Sequence, residues 1–284
     1  MLESVDRIQL TTHNAATTAE QWARVLDAAQ VGEDHLDVLN AHRVTLQIGD
    51  SLTELLEPTG TGLVQTHLDT GRGGLFSIGV TTRDPDALYG RLSAQGIEGL
   101  SFGEQRLFTE AALGIPGLTV LVSVHEHRES VGLVDTLYEA THLTPNGNAA
   151  TAIADVFGLD ASQFVPIESG NYGYRGHLTL FDSARLDRVE TIFPFDADKT
   201  MGRYFHRFGP SLYMCYAEAE SIVPLRERLM EVAPGDWTGS TEDNDGLFVH
   251  PKALGGVMMG VSRVTHAWTW SGYPERRLPP AAHT

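Results

Sequence analysis

Two carboxylates embedded in apolar runs are the residues of this chain best suited to chemistry. Glu54 lies in Leu52-Thr53-Glu54-Leu55-Leu56-Glu57-Pro58, and Glu190 in Arg188-Val189-Glu190-Thr191-Ile192-Phe193-Pro194, each four residues before a proline. A carboxylate in a buried strand is costly to desolvate unless something pairs with it. Meeting one twice, in equivalent places, points to a duplicated cup-shaped unit with a polar interior. Such a group can ligate a cation, hold an ion pair or move a proton.

The partners of Glu190 depend on which way the strand at residues 137–143 faces. By simple alternation, Tyr138, Ala140 and His142 share one face, and Glu139, Thr141 and Leu143 the other. With Glu139 inward, two carboxylates meet and one pKa is pushed up, which gives a proton donor beside a base. With His142 inward, His142, Glu190 and His250 approach a three-ligand metal set. Both arrangements stay open. Tyr172, Tyr174, Arg175, Arg203, His206, Arg207, Tyr213 and Tyr216 flank the Glu190 strand and suit a pocket for an aromatic or carboxylated ligand. Tyr213 and Tyr216 fall on opposite faces of their strand, and His250 and Lys252 reach the cup mouth.

The elements that must position these residues repeat. Residues 6–12 predict a strand, and 19–28 a helix capped by Thr17 or Thr18, with Trp22, Val25 and Leu26 at helical spacing. Strands follow at 42–48 and 51–57 across the tight Gly49-Asp50 turn, then at 75–80. Asp84-Pro85 opens a helix that stops at Gly96. The second half repeats the order: strand 137–143, helix 149–157, strands 174–181, 189–194 and 211–217, helix 221–232, strands 247–250 and 257–262. Between the halves, residues 125–134 turn from polar to apolar and read as a packed connection. Trp268 and Trp270 alternate along an extended segment, suited to covering an apolar opening or a homodimer seam. Residues 276–280 read as a disordered end.

Composition narrows the partners. With 20 Lys and Arg against 37 Asp and Glu, the net charge is −17, which argues against nucleic acid and anionic membrane and fits a cytoplasmic protein with a small-molecule ligand. The single cysteine, Cys215, excludes an intrachain disulfide and sits in an apolar run. The first residues are acidic and lack an apolar signal core. No phosphate-binding loop, dinucleotide fingerprint, nucleophile elbow or zinc-type cysteine pair occurs.

The chain resembles the vicinal oxygen chelate superfamily, the glyoxalase/bleomycin resistance/dioxygenase group. The carriers are Asp6-Arg7-Ile8 before the Trp22 helix, the 52–58 strand, the 74–80 strand before Asp84, and Gly96-Ile97. In the second half they are Val156-Phe157-Gly158-Leu159, residues 189–194, Gly202-Arg203, residues 209–216, and His250-Pro251-Lys252 with residues 256–261. The resemblance implies an α+β fold of two tandem glyoxalase-like domains, residues 1–126 and 135–272. Each is built from two βαβββ modules in a curved mixed sheet, with a concave cup and outer helices. It also implies a metal position in each cup. Those positions map to Arg7, Glu54, Ser77 and Leu121, then to Tyr138 or Glu139, Glu190, Tyr213 or Met214, and Gly260. One carboxylate facing Arg7 makes the first cup a metal-free ion pair, the guanidinium standing where a metal charge would. No metal is assigned to the second cup either; the alternative is one divalent ion (Fe, Mn or Zn) on His142, Glu190 and His250. The implied activity is a lyase, isomerase or ring-cleaving enzyme acting on a carbonyl- or hydroxyl-bearing metabolite, aromatic ones included. Glu190 would be the base, assisted by Glu139 or His250. Tyr213, Tyr174, Met214 and Arg203 would hold the substrate, with Arg7 and Glu54 as the corresponding binding pair in the other cup. The alternative is a sequestering protein of the same fold.

Overall fold

A computed structural model describes residues 2–71, 74–240 and 244–279. The first half runs β1 (Leu2–Thr11), α1 (Ala15–Leu26), β2 (Ala29–Leu36), β3 (Ala41–Ile48), β4 (Ser51–Pro58), α2 (Leu63–Asp69), β5 (Gly74–Thr82), α3 (Pro85–Ala94), β6 (Leu100–Phe102), β7 (Gln105–Phe108), α4 (Glu110–Leu113) and β8 (Val120–Val124). The second runs β9 (Thr136–Leu143), α5 (Asn148–Phe157), β10 (Val165–Ser169), β11 (Tyr174–Leu180), β12 (Arg188–Pro194), α6 (Thr200–Phe208), β13 (Ser211–Ala219), α7 (Val223–Val232), β14 (Trp237–Gly239), β15 (Gly246–Val249) and β16 (Met258–Arg263).

Each half forms one eight-stranded sheet, ordered β2-β3-β4-β1-β5-β8-β7-β6 and β10-β11-β12-β9-β13-β16-β15-β14. The order is the same module used four times. A leading strand lies parallel to the last strand of its own module, as β1 does to β4 and β9 to β12. Leading strands meet antiparallel at the sheet centre, β1 with β5 and β9 with β13. The α+β tandem architecture expected from the sequence is therefore present.

Local chemistry explains the elements. Helix α1 buries Ala15, Ala19, Trp22, Val25 and Leu26 on one face. Its cap is Asn14, whose side chain accepts from the Thr17 amide at 2.7 Å, three to four residues before the expected threonines. Helices of opposite halves meet between the sheets, α1 on α7 and α3 on α5. Trp22 is fully buried there and donates its indole N–H to the Leu254 carbonyl of the other half at 3.1 Å. One apolar core runs through both halves.

Seven elements were not expected: β2, β6, β10, β14, α2, α4 and α6. The four strands are sheet edges, and β2 is largely exposed and polar, so it lacks the apolar alternation that marks a half-buried strand. The connection at residues 125–134 is packed as expected: Val131 bridges Gly49 and the Leu133 amide reaches the Leu26 carbonyl at 2.9 Å. The tail differs. Trp268 lies in a 3-10 turn, His266–Thr269, not in an extended segment, and packs on Tyr138 and Leu186. Arg276 is ordered too, its guanidinium 4.1 Å from the Tyr273 ring centre, whereas Pro280 lies outside the described residues. Among the described residues no helix is long and apolar enough to cross a membrane.

Candidate functional site

The side chains inside each cup come mainly from the leading strand and the last strand of the first module. In the second half β9 and β12 run parallel with Glu139 opposite Arg188 and Thr141 opposite Glu190. In the first half Arg7 lies opposite Leu52 and Gln9 opposite Glu54. The register therefore equates Glu54 with Glu190, Gln9 with Thr141 and Arg7 with Glu139. It also settles the alternatives left by the sequence. Ser77 pairs with Gln9 and Met214 with Thr141, so Met214 matches Ser77; Leu121 matches Gly260.

Simple alternation fails at two points in each cup, and at the same points. Pairing between β9 and β13 skips Tyr138 and Tyr213, where the register shifts. Pairing between β1 and β5 skips Asp6 and Phe76. A bulge turns two consecutive side chains toward one face. So Tyr138 and Glu139 both face inward, and Tyr213 joins Met214 and Tyr216 in the cup instead of facing away from Tyr216. Beyond the bulge the strand keeps its alternation. Thr141 points into the cup and His142 out of it.

That orientation dismantles the three-ligand alternative. His142 is fully buried on the opposite side of the sheet, where its Nε2–H donates to the Pro116 carbonyl at 2.8 Å. Burial pushes its pKa down to about 4 and keeps the ring neutral. His250 bonds through Nε2 to the Thr238 hydroxyl at 2.6 Å, at the rim. Only Glu190 of the three reaches the cup interior. The residues at the family's metal positions, Glu139, Glu190, Met214 and Gly260, include two carboxylates, and Glu139 is already held by Arg188. Among the described residues no three His, Cys, Asp or Glu side chains converge as a metal set would. The donor set does not fit a divalent ion.

In the second cup, Glu190 stands in the floor of a cavity of about 140 Å³. Thr141 Oγ1 donates to its Oε2 at 2.5 Å. Glu139 lies close enough for its charge to act on Glu190. The Arg188 guanidinium, fully buried, donates from Nε to Glu139, from one terminal nitrogen to the Ser271 hydroxyl at 2.8 Å, and stacks 5.1 Å from the Tyr138 ring centre. Burial opposes the Arg188 charge, but the attraction of Glu139 outweighs it and raises its pKa. One guanidinium thus serves one carboxylate. Burial, and then the charge of Glu139, push the Glu190 pKa up to about 8, so Glu190 carries a proton at neutral pH.

Tyr174, Tyr213 and Met214 line the same cavity, as does Tyr216. Burial, and then the charges of Glu190 and Glu139, raise the Tyr174 and Tyr216 hydroxyls above the usual range. Tyr216 fills the space that Gly260 leaves, since a Cβ at Gly260 would stand 2.3 Å from the Tyr216 ring. The cations expected around the pocket are elsewhere. Arg203 is exposed on α6 and donates to the Asp198 carbonyl, Arg207 and His206 are exposed, and Arg175 lies over the Phe195 ring at 4.8 Å. The cavity lining contains no Lys, Arg or His among the described residues. A pocket for a carboxylated ligand, one of the sequence expectations, is therefore not what these residues build.

The first cup uses the same frame with different charges. Arg7 donates to Glu54 Oε1 at 2.9 Å and to Asp6 at 2.9 Å, and Gln9 donates to Glu54 Oε2 at 2.7 Å. Ser77 donates to Gln9 at 2.7 Å. Arg43, from β3, adds a second guanidinium to Glu54 at 3.2 Å. Arg43 pairs with Leu56, two residues past Glu54; its counterpart, opposite Ile192, is Gly176. The Arg7 stem fits because residue 79 is glycine, where a Cβ would stand 1.9 Å from Arg7 Cγ.

Sequence reasoning overlooked Arg188, Gln9, Arg43, Phe248 and Met201. Period two offered a signal for the first pair, since Arg188 is two residues before Glu190 and Gln9 two after Arg7. The others arrive from distant strands and a helix, and no local pattern marks them.

No protein-family model and no curated protein sequence matches the chain. Among solved structures it is similar to a mutant of 4-hydroxymandelate synthase from Streptomyces coelicolor, with 11% identity and a TM-score of 0.70 over 97% of this chain and 100% of that one. It is also similar to a xylose isomerase-like TIM barrel/4-hydroxyphenylpyruvate dioxygenase fusion protein, with 11% identity and a TM-score of 0.61 over 92% of this chain and 48% of that one. At this identity the likeness speaks to fold alone. The chain has the tandem two-sheet α+β fold of these solved structures, the architecture that the sequence resemblance implied.

Proposed function

We propose that the second cup binds a small organic molecule and moves a proton on it, in an isomerase- or lyase-type reaction that uses protein carboxyl groups. The observation that carries this reading is Glu190: a buried carboxyl whose pKa burial pushes up to about 8, lining a cavity beside the Arg188-bound Glu139. A proton donor of pKa near the working pH is the form in which acid–base catalysis is most effective. Glu190 delivers its proton to a carbonyl or departing oxygen. The resulting carboxylate takes a proton back from carbon or from water, which restores the resting state. Glu139, held by Arg188, adds to the burial that raises the Glu190 pKa. Tyr174, Tyr213 and Met214 hold the substrate, and His250 lies one hydrogen bond behind the lining residue Thr238.

Proton exchange in heavy water tests this. Carbonyl- and hydroxyl-bearing compounds are incubated with the protein, and deuterium incorporation is read by mass spectrometry. Wild type should exchange a carbon-bound proton of a compound it binds. Glu190→Gln should slow exchange by about 10²–10⁴-fold while binding persists. Binding without exchange in the wild type would instead favour the sequestering role. Met214 and Gly260, standing where the resemblance implies metal ligands, are what speaks for that second reading.

A further inference from the structure

We propose that the ligand of the second cup is an organic cation, an ammonium-bearing molecule seated among aromatic rings beside a carboxylate. This deepens the proposed function by naming the ligand's charge, and it rests on that reading only for the location of the site.

Five aromatic side chains line the cavity together with Glu190: Tyr172, Tyr174, Tyr213, Tyr216 and Phe248. They come from β11 and the turn before it, from β13 and from β15, so the rings approach from several sides. Three of them pack against other rings. Tyr216 meets Phe248 edge to face at 6.1 Å, and Tyr213 meets Tyr204 edge to face at 4.8 Å. An aromatic ring attracts a cation over its face, and a cavity walled by five rings offers such faces from several directions.

Charge decides between ligand classes. An anion would enter a pocket with no cation in its lining and would meet Glu190 as a carboxyl that gains negative charge as pH rises through about 8. The nearest guanidinium, Arg188, is behind Glu139 and engaged with it. A neutral molecule would fit the walls but leave Glu190 neutral. A cation gains from the rings and from Glu190, which it draws into the ionised form. The groups facing Glu190 are Glu139, Tyr138 and Thr141 on β9, Arg188 on β12, Tyr174 on β11 and Tyr216 on β13. Arg188, the one cation among them, donates to Glu139 and Ser271 and keeps one terminal nitrogen without a partner.

Three isosteric probes test the proposal by calorimetry: choline, its uncharged carbon isostere neohexyl alcohol, and the anion tert-butylacetate. Choline should bind about tenfold more tightly than neohexyl alcohol, and tert-butylacetate should show no saturable binding. Choline affinity should rise about tenfold between roughly pH 7 and pH 9, as Glu190 ionises, while neohexyl alcohol affinity stays flat. Glu190→Gln should abolish that rise, and Phe248→Leu should weaken choline more than neohexyl alcohol. Retained neohexyl alcohol binding shows that each variant keeps a folded pocket. Equal binding of choline and neohexyl alcohol, preference for tert-butylacetate, or no binding by any probe overturns the proposal. None of these outcomes bears on proton transfer, which deuterium exchange reads separately.

Discussion

The two cups share strands, bulges and a central carboxylate, and they end in opposite electrostatic states. In the first, Glu54 receives guanidinium groups from Arg7 and Arg43 and an amide from Gln9. In the second, the one guanidinium is committed to Glu139, and Glu190 receives a hydroxyl from Thr141. Supply of buried positive charge separates a sealed ion-pair network from a protonated acid at a cavity. The lesson is that chemistry on this frame follows from how many cations the flanking strands send inward. The carboxylate itself is common to both.

The comparison can be broken most sharply by the matched pair Glu54→Gln and Glu190→Gln. Removing the Glu54 charge takes one carboxylate partner from each of two guanidinium groups, Arg7 keeping Asp6 and Arg43 keeping Asp34, and should cost about 2–4 kcal/mol. Glu190 is already neutral, so its amide isostere should change stability by less than about 1 kcal/mol near neutral pH. Urea unfolding of both variants checks this, and similar losses would sink the idea that the cups differ in charge state.

The second effect is pH dependence. Glu190 holds its proton more tightly folded than unfolded, about 8 against 4.5. Its stabilising contribution is complete below the unfolded value and is lost as pH rises through about 8. The slope is at most about 1.4 kcal/mol per pH unit over that window. Burial also raises Asp187 to about 6 and Glu218 to about 7, so wild type alone mixes the three. The difference between wild type and Glu190→Gln, measured from acid to mildly alkaline pH, isolates Glu190.

Arg43→Ala should bring the first cup toward the second. It removes one charged hydrogen bond to Glu54, at a cost of about 1.5–3 kcal/mol. Urea unfolding checks the loss, and an unchanged midpoint would remove Arg43 from the Glu54 network. The smallest change expected is Thr141→Val, about 0.5–1.5 kcal/mol. Losing the only hydroxyl donor described on Glu190 should raise that group's titration further, read by carbon NMR of Glu190.

The frame was legible because its signals are local. Glycine and proline punctuation, helical spacing around Trp22, and two carboxylates before two prolines gave the tandem halves and the depth of Glu54 and Glu190. Edge strands β2 and β10 were not legible, since nothing apolar covers their outer faces. Strand facing was only half legible. Alternation placed Glu139 and Thr141 together correctly but put Tyr138 with His142 and separated Tyr213 from Tyr216. Both errors have one source, a bulge, which leaves no clear trace in composition. The Arg188–Glu139 pairing was missed because it depends on register between parallel strands 49 residues apart in sequence.

Gly176 bears on what keeps such a pocket open. A side chain there would begin 1.9 Å from the Thr191 carbonyl oxygen, so the main chain itself forbids one. A substitution here cannot place a guanidinium over the carboxylate, as Arg43 does in the first cup, unless the backbone is remodelled as well.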